Sequence, residues 1–161
     1  ELPEQEFEWG EHCLSEKVHL KLTGFSDLLK TNIIETLSEI IDVRYAYSLN
    51  EVWKNTYYRY YHQESHSHPN SELSFVIFMN DYQENDAKFY FLNERNRVTS
   101  TTWLSLSEGM EDSIYVEPKK GDILFFPSHM IHGVTPHQSD IPRITISGNI
   151  SLKNLGEENP N

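Results

Sequence analysis

Residues 62–78 read HQESHSHPNSELSFVIF, three of the chain's 8 histidines crowded ahead of an apolar run. Leu73–Met79 is a short, partly β-branched run, which reads as a buried strand. In extended chain, residues i and i+2 point to the same side, so His66 and His68 can converge while Ser67 faces away. Imidazole is the commonest transition-metal ligand, and a metal needs at least one more ligand from elsewhere. A pair of histidines two apart is also common by chance, and most histidines serve the surface or a hydrogen-bonded core. The pair alone therefore decides nothing. Downstream, residues 121–136, GDILFFPSHMIHGVTP, offer two partners. The run Ile123–Phe126 ends at Pro127 and a new strand begins near Ile131, which puts His132 at a strand start and His129 in the connecting turn.

Composition narrows the surroundings. A chain of 161 residues is the size of one ordinary domain. Its formal charge of −12, from 25 acidic against 13 basic residues, argues against a nucleic-acid partner, which needs clustered Lys and Arg. Cys13 is the only cysteine, so an intrachain disulfide and a Cys-based zinc site are excluded, and a reducing compartment such as the cytoplasm is the simplest home. The apolar runs are too short to span a bilayer and the acidic N-terminus lacks the features of a signal peptide, so no membrane association is expected. The first residue is not Met, which is compatible with a removed leader or tag.

Along the chain, Glu1–Glu11 reads as a solvated extension or edge segment, with Phe7 and Trp9 as anchors. From Ser26 to Val43 the apolar residues Leu29, Ile33, Leu37, Ile40 and Ile41 recur at helical spacing, with Ser26 and Asn32 as caps. Short β-branched or aromatic runs follow at Tyr57–Tyr61, Leu73–Met79, Lys88–Leu92, Ser113–Val116, Ile123–Phe126, Ile131–Thr135 and Arg143–Ile150, separated by turn chemistry such as PKKGD. The fold class is mainly β, a sandwich or barrel carrying N-terminal helices, and residues 156–161, GEENPN, read as a frayed tail.

The order of parts carries a resemblance. Trp53 and Asn55, then His66-Ser67-His68-Pro69, then Phe126-Pro127-Ser128, then His132-Gly133-Val134-Thr135-Pro136, then Arg143-Ile144-Thr145-Ile146 with Asn149 resemble the iron(II)- and 2-oxoglutarate-dependent oxygenases, in the branch related to prolyl hydroxylases. The resemblance covers Trp53 to Asn149. It implies a double-stranded β-helix, a jelly-roll or cupin-like barrel of two facing sheets, with the metal at an open end. It also implies one oxygenase-like domain over 1–161, with an N-terminal extension and helical region over 1–50, the β-helix core over 51–152 and a tail over 153–161. The implied metal ligands and catalytic residues are His66, His68 and His132, and the implied cofactors are iron(II), 2-oxoglutarate as cosubstrate and O2.

Most of that family carries His-x-Asp or His-x-Glu, whereas His68 stands where the acid normally is. Either the site is a three-His triad or the acid comes from elsewhere, and His62 with Glu64, again two apart, is the alternative pair. The proline after the pair and the distance from Asn55 fit His66 and His68 better. Each imidazole must lose its proton to bind, so metal loading is expected to fall between neutral pH and about pH 5. Arg143 suits the far carboxylate of 2-oxoglutarate, a planar acceptor for a two-pronged donor. Thr145 shares its face, and Tyr58 and Tyr60 could reach the same cosubstrate or simply pack. The family often has a glycine where this chain has Tyr60-Tyr61. Of Phe75, Phe78, Phe125 and Phe126, alternation turns half away from the site. The implied activity is a dioxygenase hydroxylating a C–H bond of a peptide or protein residue, or of a small molecule. Its rivals are a cupin-like three-His metalloenzyme that uses no 2-oxoglutarate and a metal-free β-barrel binding module. Substrate identity and oligomeric state are not encoded in these motifs.

Overall fold

The computed structural model describes residues 5–8, 14–17, 24–40, 45–93 and 113–154, with side chains over 31–40, 46–93 and 113–153. Trp9, Cys13, Ile41 and the tail 156–161, and the side chains of Phe7 and Leu29, lie outside the described residues. In chain order the elements are β1 (Gln5–Glu8), β2 (Leu14–Lys17), α1 (Gly24–Ile40), β3 (Tyr45–Tyr57), β4 (Gln63–His66), β5 (Leu73–Phe78), β6 (Phe89–Leu92), β7 (Ser113–Val116), β8 (Ile123–Pro127), β9 (His132–Val134) and β10 (Arg143–Asn154). They form two antiparallel sheets, a six-stranded one ordered β1-β2-β3-β10-β5-β8 and a four-stranded one ordered β4-β9-β6-β7. This is the double-stranded β-helix arrangement.

Strand alternation divides the large sheet into two faces. Tyr57, Val76, Phe78 and Phe126 face inward and pack with Phe89, Phe91 and Val134 of the small sheet. Val52, Phe75, Ile146 and Ile150 face outward, where Ile33 and Leu37, one helical turn apart on α1, cover them. Phe75 and Phe125 thus belong to the helix side and Phe78 and Phe126 to the inner side, as alternation requires.

In residues 1–50, β1 takes the edge of the large sheet, in keeping with the edge-segment reading of Glu1–Glu11, β2 and the start of β3 extend the same sheet, and the described residues there hold one helix. The sequences of β1 and β2, QEFE and LSEK, lack apolar alternation; β1 is the edge strand and β2 is paired on both sides by backbone ladders. Two expectations need correction. The aromatic run Tyr57–Tyr61 is not a strand; β3 ends at Tyr57, and Tyr60 takes a left-handed conformation with φ 71°. That is the geometry a glycine would favour, kept by a tyrosine. Ile40, the last residue of α1, is 67% exposed, so the apolar stripe stops before it.

At Gly148, β10 lies close against its neighbours. A Cβ there would lie 2.6 Å from the Phe75 ring and 2.6 Å from the Glu51 carbonyl oxygen. Gly148→Ala should therefore cost about 1–3 kcal/mol by overpacking, read as a lower urea midpoint. An unchanged midpoint would contradict this packing.

Candidate active site

His66 closes β4 and His132 opens β9, and the two are direct partners across the strands. Their rings lie 4.4 Å apart between centroids, and the His68 ring lies 5.0 Å from His66 and 5.2 Å from His132. One ring nitrogen from each can be chosen so that all lie within 4.8 Å of one another. His68 follows β4 and is fixed by its backbone N–H, which donates to the Ser128 carbonyl at 2.8 Å. Trp53 stacks on its ring with 5.9 Å between centroids.

Hydrogen bonding prepares two of these rings as ligands. Nδ1 of His66 meets the Glu64 carbonyl at 2.8 Å, and Nδ1 of His132 meets the Met130 carbonyl at 2.9 Å. A carbonyl only accepts, so each Nδ1 carries the proton and Nε2 keeps its lone pair for a metal. Burial opposes the charged form of all three. It lowers the pKa of His66, pushes His68 down to about 4 and pushes His132 down to about 3, the neighbouring rings adding to the last two. Protons therefore compete for these nitrogens at lower pH than free imidazole implies, which shifts the expected acid loss of metal below its first range. Three neutral nitrogens at this separation fit one transition-metal ion after small ring adjustments.

The alternative pair does not reach the centre. Glu64 is exposed on the other side of β4, and His62 is half-buried outside the cluster; His129 is exposed as well. The cause is a bulge in β4. Gln63 pairs with Val134 and His66 with His132, three steps against two, so Gln63 and His66 face inward together and Glu64 does not.

The same pocket, about 650 Å³ with its solvent-filled mouth included, holds Arg143 at the start of β10. Arg143 is 5% exposed, its guanidinium lies over the Phe78 ring at 5.4 Å, and its Nη1 is buried with no hydrogen-bond partner among the described residues. Burial lowers its pKa, while Tyr57, Asp86 and Tyr82 act in the opposite direction. A buried guanidinium nitrogen with no acceptor fits an incoming carboxylate, since leaving it unpaired is costly. Thr145 is buried in the same pocket two residues on, and its hydroxyl meets Asn55 Nδ2 at 3.5 Å.

Tyr58 and Tyr60 are corrected here: they are 45% and 69% exposed, past the end of β3, and neither lines the pocket. Tyr57 lines it instead, its hydroxyl donating to Gln63 Oε1 at 3.1 Å. Both residues were missed from the sequence. Tyr57 could have been found, since Trp53, Asn55 and Tyr57 alternate along one face, whereas Gln63 faces inward only because of the bulge.

A double-stranded β-helix with three imidazoles and a buried arginine facing one pocket defines the class. The family described as "Putative 2OG-Fe(II) oxygenase" matches residues 51–149, well over half of the chain. The chain belongs to this family, whose members are iron(II)- and 2-oxoglutarate-dependent oxygenases. Similar solved structures include a 2OG-Fe(II) oxygenase family oxidoreductase from Burkholderia pseudomallei, 13% identical with a TM-score of 0.67, the match covering 95% of this chain and 73% of that one. HygX from Streptomyces hygroscopicus with nickel and 2-oxoglutarate bound is 13% identical with a TM-score of 0.68, covering 92% of this chain and 74% of its own. A Pseudomonas putida prolyl-4-hydroxylase is 14% identical with a TM-score of 0.60, covering 86% and 71%. At these identities the likeness establishes the fold. No curated protein sequence matches significantly.

The lowered histidine pKa values have a stability consequence. Unfolded chain, with histidine near ~6.5, takes up protons that the folded state refuses. Stability of chelator-treated protein should therefore be full above about pH 6.5 and fall as the pH drops toward the folded values of about 4 and about 3. Urea midpoints at about pH 7.5 and about pH 5 should differ less in His132→Gln than in wild type. An equal drop in both would contradict the burial of a neutral His132.

Proposed function

We propose that His66, His68 and His132 hold iron(II), that Arg143 with Thr145 holds the far carboxylate of 2-oxoglutarate, and that the protein hydroxylates a C–H bond of a peptide residue or a small molecule. The observation that carries this reading is the buried Arg143 nitrogen, without a hydrogen-bond partner among the described residues, in the same pocket as the imidazoles. A cupin-like enzyme that uses no 2-oxoglutarate would leave that cation without a task. Neighbours of both substrate kinds support the breadth of the substrate class, a prolyl-4-hydroxylase on one side and HygX with hygromycin B bound on the other. The single cysteine favours a reducing compartment.

Iron(II), when bound, supplies the redox chemistry that couples O2 and 2-oxoglutarate to C–H oxidation. The residues supply the setting. His66 and His132 present Nε2 because backbone carbonyls hold Nδ1, and Trp53 braces His68. Three neutral ligands leave the cation's charge uncompensated by the protein, which with Arg143 favours a dianionic cosubstrate. Arg143 offers a planar fork, and the Thr145 hydroxyl accepts from Asn55 while keeping its own proton for a carboxylate oxygen. Val76, Phe78, Phe89, Phe126 and Val134 wall the pocket and limit water around the reacting groups.

His132→Ala should abolish stoichiometric iron(II) binding in anaerobic calorimetry while the domain stays folded. Arg143→Lys keeps the charge and loses the fork, so 2-oxoglutarate affinity should fall about tenfold or more, in line with ~1.5–3 kcal/mol for a hydrogen bond to a charged group. Metal binding without 2-oxoglutarate-dependent succinate formation would favour the other three-His enzyme class. Absence of iron binding in wild type, with binding restored in His68→Asp, would make the natural chain a metal-free binding module.

A further inference from the structure

Beyond Val134 the ladder between β9 and β6 continues in altered form. Thr135 N–H still donates to the Lys88 carbonyl at 2.9 Å, and Gln138 N–H to the Asn85 carbonyl at 3.0 Å. In the return direction side chains replace the backbone. Lys88 N–H donates to Thr135 Oγ1 at 2.8 Å, and Ala87 N–H donates to Nδ1 of His137 at 3.0 Å. His137 is completely buried and uses every polar group it has. Its Nε2 meets the Ile141 carbonyl at 2.8 Å, its backbone N–H donates to the Tyr61 carbonyl at 2.9 Å, and its carbonyl accepts from Tyr60 N–H at 2.6 Å.

This bonding fixes the ring's state. Nδ1 accepts a backbone N–H, so the proton sits on Nε2 and the ring is neutral. Asp86 Oδ1 stands 3.9 Å from Nδ1, while Asp86 Oδ2 accepts from Gln83 N–H at 3.0 Å. Tyr60 gives an independent sign of constraint. A tyrosine at φ 71° persists only where its surroundings over-determine it, and its N–H is bonded to the His137 carbonyl. His137 therefore joins the turn after β3, the segment before β6 and the crossover into β10. That crossover ends at Arg143. Ile141 lies two residues before Arg143, Pro142 fixes the backbone between them, and on the far side Ile144 N–H donates to Asn80 Oδ1 at 2.7 Å.

We propose that His137 is a positioning residue for the cosubstrate: the hydrogen bond from its Nε2–H to Ile141 sets where β10 begins, and so where the Arg143 guanidinium stands to receive a carboxylate. The inference rests on the proposed role of Arg143. His137 touches neither metal nor cosubstrate and acts through the backbone.

Two isosteric variants separate the two arms of the ring. His137→Gln places an amide NH2 near the Nε2 position and keeps the donor to Ile141; His137→Asn places an oxygen near Nδ1 and keeps the acceptor for Ala87 N–H. The full chain loaded with nickel(II) would be titrated with 2-oxoglutarate by calorimetry, and nickel affinity and thermal midpoint measured alongside. The expected result is 2-oxoglutarate affinity about tenfold weaker in His137→Asn and close to wild type in His137→Gln, with nickel affinity within about twofold in both. Equal affinities in wild type and both variants, equal losses in both, or a parallel loss of nickel and 2-oxoglutarate binding with the midpoint would overturn the positioning role. Should neither variant fold, nuclear magnetic resonance of wild type decides. The His137 Nε2–H signal should exchange more slowly once 2-oxoglutarate joins the nickel-loaded protein, and an indifferent signal overturns the proposal. If wild type itself binds no 2-oxoglutarate, or binds it equally well as Arg143→Lys, the parent reading of Arg143 fails, and that result differs from a failure confined to the His137 variants.

Discussion

One extra residue in β4 decides what the centre of the molecule contains. Between the pairs Gln63 with Val134 and His66 with His132, β4 advances three residues while β9 advances two. In a regular strand Glu64 would share the side of His66, and an acid would stand beside the imidazoles. The bulge breaks that parity. Gln63 and His66 face inward, and the Glu64 carbonyl instead of its carboxylate serves the site by holding His66 Nδ1. The bulge is itself held from outside the barrel, where Ser65 Oγ and Tyr90 Oη lie 2.9 Å apart. Tyr90 can lie there because its partner across the strands is Gly133; a Cβ on Gly133 would stand 2.5 Å from the Tyr90 hydroxyl.

The large sheet supplies the complementary order. Along β10, Arg143, Thr145, Ser147 and Asn149 share the inner face, while Ile146 and Ile150 face the helix. Behind His68 the inner polar residues bond to one another. Ser128 Oγ and Ser74 Oγ are 2.8 Å apart, Ser74 Oγ donates to Asn149 Oδ1 at 2.9 Å, and the Ser128 carbonyl takes the His68 N–H. Ser128 and Asn149 thus have a structural task in a buried, mutually satisfied network, the condition under which polar groups rigidify an interior without a large cost. The site is accordingly polar at both ends, imidazoles at one and a guanidinium at the other, with an apolar wall between.

Much of this was legible because it follows from a period of two. Arg143 and Thr145 share a face for that reason, and His132 at a strand start followed from Pro127 and the apolar run before it; His68, just past the end of β4, reaches His66 with its N–H bonded to the Ser128 carbonyl rather than by strand period. The misreadings have physical causes as well. Tyr58 to Tyr61 have high β propensity, yet the chain turns there because His137, distant in sequence, holds the backbone of Tyr60 and Tyr61. At the start of β3, Tyr47 and Leu49 alternate with Ala46, Ser48 and Asn50 and pack toward the helix, but the register shifts opposite Asn149 and Ile150, so the pattern does not carry on regularly to Val52. The inward turn of Gln63 depends on a bulge that no local pattern encodes. His137 looked like any other histidine, since its role lies in bonds to Ala87 and Ile141 that only the folded chain brings together.

The most direct measurement is a crystal structure after anaerobic soaking with iron(II) and 2-oxoglutarate. The expected result is one metal ion about 2.0–2.2 Å from a ring nitrogen of each of His66, His68 and His132, the distance range of metal–imidazole bonds, with the far carboxylate of 2-oxoglutarate on the Arg143 guanidinium. A metal bound by His62 and Glu64, or a carboxylate held away from Arg143, would contradict the three-histidine centre.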